Sequence, residues 1–193
     1  MRRNVGILIF DDVEVLDFSG PFEVFGVTDE LQQGDAFNVF TVAESPGTVR
    51  ARNGLKIVPN RTLEDCPALH LLVVPGGIGT RPLLHKPALL EWLRVKARHA
   101  EIVMSVCTGA LVLAKAGLLG GLRVTTHHLS LDLLRELAPG ATVDPSGRFF
   151  DNGKILTSGG ISAGIDCALY VVGRLLGGSA AAATAQHMEY QRA

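Results

Sequence analysis

Cys107 and Asp17 are the side chains whose types and placement could do chemistry together. Cys107 ends the apolar run Ile102-Val103-Met104-Ser105-Val106 and stands just before the helix-favouring stretch Ala110-Leu111-Val112-Leu113-Ala114-Lys115-Ala116. A buried strand that runs straight into a helix holds its turn residue on a sharp bend with the side chain outward, the logic of a nucleophile elbow. The helix N-terminus adds positive potential and unpaired N–H groups, so the sequence predicts a thiolate there. Free cysteine also packs well as a small hydrophobe, but small Gly109 and Ala110 after the turn favour the elbow. Asp17 lies between Leu16 and Phe18, where the first strand meets a helix. It is either a helix cap or a carboxyl group in an apolar cleft, where desolvation would raise its pKa. Gly76-Gly77 follow another apolar strand, and the Gly77 N–H with that of Thr108 could form an oxyanion pocket. His127, at a third strand end, could reach the cysteine or could simply be exposed or hydrogen-bonded.

These residues need elements that bring them to one edge. Residues 5–10 read as a fully buried first strand ended by Asp11-Asp12. Asp17 or Ser19 then caps a helix with Pro21 in its first turn, and Phe18, Phe22 and Phe25 repeat at helical spacing. Residues 37–43 form a second strand, and residues 49–52 and 55–58 a hairpin around Asn53-Gly54. The strand over residues 69–74 ends in Gly76-Gly77-Ile78-Gly79, which lacks both the Lys-Ser/Thr ending of a phosphate loop and the full spacing of a dinucleotide fingerprint. A helix over residues 87–98 precedes the Cys107 turn, and Gly117 ends the helix after it. The remainder reads as a short strand over residues 122–126, a helix over 129–137, a hairpin over 149–157 around Asn152-Gly153, a long apolar helix ending near Gly177, and a last helix over 180–191. Strands alternating with helices predict an α/β doubly wound parallel sheet with its site at the carboxyl ends of the strands. Asp17, Gly76-Gly77, Cys107 and His127 all follow predicted strands, so one crevice could hold them. No linker or repeat divides the chain, and residues 1–193 are expected to form one domain.

Composition removes several function classes. A net charge of −1 and scattered basic residues without interleaved aromatics give no basis for nucleic-acid or anionic-membrane binding. No apolar run is long enough for a membrane span, and acidic residues interrupt the stretch after Met1-Arg2-Arg3, so no secretory signal is read there. Three cysteines far apart make no disulfide framework, and the expected compartment is the cytoplasm. Cysteine and histidine spacing supports no metal site, and no cofactor is expected.

Together, Leu16-Asp17-Phe18-Ser19-Gly20-Pro21, Val74-Pro75-Gly76-Gly77, Ser105-Val106-Cys107-Thr108-Gly109-Ala110, Val124-Thr125-Thr126-His127 and Ile161-Ser162-Ala163-Gly164-Ile165-Asp166 carry a family resemblance. Over nearly its whole length the chain resembles the DJ-1/PfpI superfamily, with the class I glutamine-amidotransferase-like, flavodoxin-like fold. Within it, the pattern is most similar to the isonitrile hydratases, and it is also very similar to the amino-terminal domain of AraC-type regulators. Thr108 stands where PfpI peptidases carry histidine, and Asp17 where DJ-1-like members carry glutamate; no late His–Glu pair of the amidotransferase kind stands out. The resemblance implies a homodimer and a small-molecule substrate: an isonitrile hydrated to an N-substituted formamide through a Cys107 thioimidate. Asp17 would supply the proton and activate water, while Phe18 and Ile161 keep water scarce. A non-catalytic sensor of oxidants or small ligands, and glyoxalase-like 2-oxoaldehyde chemistry with His127 as base, are the alternatives.

Overall fold

A computed structural model describes residues 2–191. In chain order, β1 (Arg3–Leu8) leads to α1 (Val15–Leu31) and β2 (Phe37–Ala43). The short strands β3 (Val49–Arg50), β4 (Lys56–Ile57) and β5 (Arg61–Thr62) precede β6 (Leu71–Val74). Next come α2 (Thr80–Leu83), α3 (Pro87–His99), β7 (Ile102–Ser105) and α4 (Gly109–Lys115). The chain continues through β8 (Arg123–Val124), α5 (Leu131–Leu137), β9 (Thr142–Val143), β10 (Phe149–Asp151) and β11 (Ile155–Ser158). It finishes with α6 (Ala163–Leu176) and α7 (Gly178–His187).

The main sheet has the order β10-β11-β7-β6-β1-β2-β5, parallel except at the β10–β11 hairpin. This is the doubly wound α/β arrangement expected from the sequence. Its central strands are apolar on both faces because helices cover both, and β6 and β7 are buried at every residue. The helices α1, α6 and α7 pack on one another, while α4 packs on α3, α5 and the strands β6 and β7. Pairing Val74 with Ser105 and Ile7 with Val73 levels the strand ends, so the loops after β1, β6 and β7 meet at one edge. That edge carries the candidate site.

Both hairpins form, with Val49 opposite Ile57 and Phe150 opposite Thr157. The first helix differs from expectation. It begins at Val15, with Glu14 at the cap position and no side-chain cap, so neither Asp17 nor Ser19 caps it. Ser19 instead donates its hydroxyl to the Val15 carbonyl at 2.8 Å. Pro21 is inside the helix rather than in its first turn, and lacks the N–H that would bond the Asp17 carbonyl. Gly20 lets α1 approach α6, since a β-carbon there would stand 2.9 Å from Ile165 Cγ1. The strand expected over residues 122–126 is only two residues long; beyond it the Thr125 N–H donates to Thr157 Oγ1 at 2.9 Å instead of continuing a ladder.

Candidate active site

The Cys107 turn is fastened from two sides. Cys107 has φ +54°, a left-handed conformation that non-glycine residues adopt only under constraint. Its N–H is shared between the Ser158 and Gly159 carbonyls, both at 3.1 Å, and its carbonyl accepts from Thr126 Oγ1 at 2.8 Å. Gly109 follows because the chain passes the Val74 carbonyl so closely that a β-carbon would collide with it.

Asp17, the third residue of α1, is fully buried beneath this turn. Its Oδ2 accepts the Gly76 N–H at 2.9 Å, while Oδ1 is buried without a hydrogen-bond partner of good geometry among the described residues. Gly76 is required by this approach: a β-carbon there would stand 2.8 Å from Asp17 Oδ2 and 2.7 Å from Thr108 Oγ1. Burial pushes the Asp17 carboxyl up to about 7; the Gly76 N–H opposes the shift, the Glu14 charge adds to it, and the Cys107 thiol opposes it by donating toward the carboxylate.

The cysteine departs from the sequence expectation. Burial, with the Asp17 charge added, pushes the Cys107 thiol up to about 12 despite the Thr108 N–H directed at its sulfur. Desolvation and a carboxylate neighbour thus outweigh the positive end of a short helix. Near neutrality the thiol holds its proton, and the carboxylate beside it is poised to take it.

A cavity of about 320 Å³ opens over this pair. Cys107, Thr108, Gly77, His127 and Ile161 line it, whereas Asp17 lies below and Phe18 packs into the main core instead of the cavity wall. The Gly77 N–H does not face the cavity as an open oxyanion donor. It donates to Thr108 Oγ1 at 2.9 Å, and that hydroxyl in turn donates to the Gly77 carbonyl at 3.1 Å. The lining also includes Glu14, Arg52, Ile78, Arg81, Leu129 and Ser130. None of these is of a type or spacing that stands out in the sequence; only the position of Ile78 within the glycine loop and of Arg81 just after it marks them. A larger cavity of about 510 Å³ beside the ends of β1 and β2 shares Ile78 and Arg81 but holds no cysteine.

His127 Nδ1 accepts the Leu129 N–H at 3.3 Å, which leaves the ring proton on Nε2. Burial, followed by the nearby His128 and Arg81 charges, pulls its pKa down. With Nδ1 already accepting, the ring offers its Nε2–H as a donor. Gly160 fits between this ring and the thiol: a β-carbon would stand 3.1 Å from Cys107 Sγ and collide with His127 Cδ2. Among the described residues, no group of three or more His, Cys, Asp or Glu is placed to hold a metal ion. No described helix is long and apolar enough to cross a membrane.

Residues 3–174 match the model of the DJ-1/PfpI family. The chain is 38% identical over 190 residues to an isonitrile hydratase from Pseudomonas putida, covering 98% of this chain and 79% of that protein. It is 26% identical over 190 residues to the HTH-type transcriptional regulator GbdR from Pseudomonas aeruginosa, spanning 98% of this chain but only 51% of the regulator. Among solved structures, a THiJ/PfpI family protein from Pseudomonas syringae superposes with a TM-score of 0.90 at 30% identity, covering 100% of this chain and 77% of that one. With the matched stretch taking in Asp17, the Gly76-Gly77 loop and Cys107, the chain belongs to the DJ-1/PfpI family.

Proposed function

We propose that this protein hydrates a small isonitrile to an N-substituted formamide, with Cys107 as nucleophile and Asp17 as the group that moves the proton. The observation that carries this reading is a fully buried carboxyl, pushed up to about 7, toward which a thiol at the floor of a cavity donates, with one carboxyl oxygen lacking a partner of good geometry. The isonitrile carbon must gain both a nucleophile and a proton, so donor and nucleophile have to act at one atom. Asp17 carboxylate takes the thiol proton as sulfur bonds to the terminal carbon, then delivers that proton to the same carbon; the product is a thioimidate, R–N=CH–S. Asp17 next takes a proton from water as the oxygen adds to this carbon. The carbon–sulfur bond then breaks as nitrogen receives the proton from Asp17; the carboxylate takes the remaining proton from the added hydroxyl and returns it to the departing sulfur, so R–NH–CHO leaves and the Cys107 thiol is restored. The Thr108 N–H, directed at the sulfur, favours the charge that develops as that bond breaks.

Kinship with an isonitrile hydratase supports the same reading. A regulatory role in the manner of the related transcription factors needs no such proton pair. An oxidant sensor wants an exposed, easily ionised thiol, whereas Cys107 is buried and its pKa is raised. Glyoxalase-like chemistry with His127 as base is disfavoured by the Leu129 N–H on its Nδ1. The test mixes the protein with an alkyl isonitrile and follows formamide by NMR. Turnover in wild type and its loss in Cys107→Ala are expected; equal rates in the two would reject the assignment.

A further inference from the structure

Arg81 lines the Cys107 cavity and is half-buried. Its Nη2 donates to Ser130 Oγ at 3.1 Å and its Nη1 to Thr80 Oγ1 at 2.9 Å, so its own neighbour in α2 and a separate segment together fix the guanidinium. Both partners are neutral hydroxyls. Among the described residues, neither Arg81 nor Arg52, the other arginine of the lining, belongs to any ion pair. Glu14 lines the same cavity without pairing to either arginine, so the walls carry two positive charges against one negative. A cation taken partly out of water with no ion-pair partner is costly. A planar fork held in place by hydroxyls is also preorganised for two parallel bonds to a carboxylate.

We propose that Arg81 makes this cavity a carboxylate receptor, and that the substrate is a small molecule bearing a carboxylate together with the electrophilic group that meets Cys107. That the electrophile is an isonitrile rests on the function proposed above; the carboxylate receptor does not. Arg52, which is exposed, adds a weaker and more strongly screened attraction. The cavity, at about 320 Å³, suits a short substrate in which the two groups lie close together.

Two pairs of probes test the proposal. The first pair is isocyanoacetate and its methyl ester. Wild type should favour the acid in kcat/KM by about 10- to 100-fold, the range of a charge-assisted hydrogen-bonded contact, and Arg81→Met should bring the ratio close to one. The second pair is iodoacetate and iodoacetamide, with alkylation of Cys107 followed by mass spectrometry. The ratio of the two rates should fall about tenfold or more in Arg81→Met; because both probes report on the same variant protein, a general loosening of the site cancels. An unchanged iodoacetate-to-iodoacetamide ratio overturns the receptor, whatever the isonitriles do, as does an acid preference that survives in Arg81→Met. If neither isonitrile is hydrated but the alkylation ratio falls, the hydratase reading fails and the carboxylate receptor stands.

Discussion

At the scale of single residues the site is a shared-proton problem. Asp17 titrates near 7 and Cys107 near 12, so the form with one proton on the pair prevails between these values. The mechanism starts from that form, so kcat/KM for an isonitrile should rise as pH passes about 7 and level off above it; a rate that falls through that range would reject the carboxylate as the first acceptor. Asp17→Asn keeps the shape but cannot relay a proton, and turnover should drop by about 10²–10⁴-fold. The same change removes the negative neighbour that holds the thiol proton, so alkylation of Cys107 at neutral pH should become faster. Folding gives a separate readout. Because the folded carboxyl titrates above its ordinary value of 3.8, protonation favours the native state: the stabilisation is complete at pH values below that ordinary value and is lost as pH rises through about 7. Asp17→Asn should therefore gain stability relative to wild type as pH is raised from about 3 to 8, by up to about 4 kcal/mol. Thermal melts at both ends of that range check the sign.

At the scale of elements, the site depends on close approaches between loops, and the glycines mark them. Gly160 opens the segment before α6 and leaves no room for a side chain between the thiol and the His127 ring. Gly160→Ala should push the ring or the sulfur from its place and reduce turnover by about 10²-fold, the usual cost of a displacement of about 1 Å. The fold should survive, since the pressure falls on the cavity wall and not on the sheet; circular dichroism with an unaltered melting profile beside full activity would contradict the packing account. The sequence was informative on the elements themselves, because apolar strands, helical periodicity and Asn-Gly turns are local signals. The turn at Cys107 could be read because a strand and a helix flank it directly. The raised thiol pKa could not, because it arises from burial and from Asp17, which is 90 positions away in the chain. The engagement of the Gly77 amide is not legible for the same reason: its partner, the Thr108 hydroxyl, comes from another loop. Pro21 reads as a first-turn residue because the sequence gives no sign that α1 starts as early as Val15.

For the whole molecule, the three cysteines report different depths of opening. Cys167 is fully buried in α6, whereas Cys107, at the floor of a cavity, and Cys66, in the segment before β6, are buried but retain a few per cent of their surface, Cys66 slightly the more. Burial raises the pKa of each thiol, so helix-end activation no longer ranks them and access decides. A reagent can reach Cys107 through the cavity, whereas Cys167 requires the packing of α6 against α1 and α7 to come apart. Leu72→Ala separates these routes. Leu72 is fully buried on β6 and pairs with Gly6 of β1 and Val103 of β7, so the change leaves a hole at the centre of the sheet. The expected loss is about 2–5 kcal/mol. Where opening and closing are fast relative to labelling, the population of the open state sets the rate. At tenfold for each 1.4 kcal/mol, Cys167 alkylation should then rise by about 30- to several-thousand-fold. Cys107 alkylation through the native cavity should change far less. Parallel acceleration of all three cysteines would mean that Cys107 too is reached only by unfolding, and that the cavity does not admit a molecule of the reagent's size.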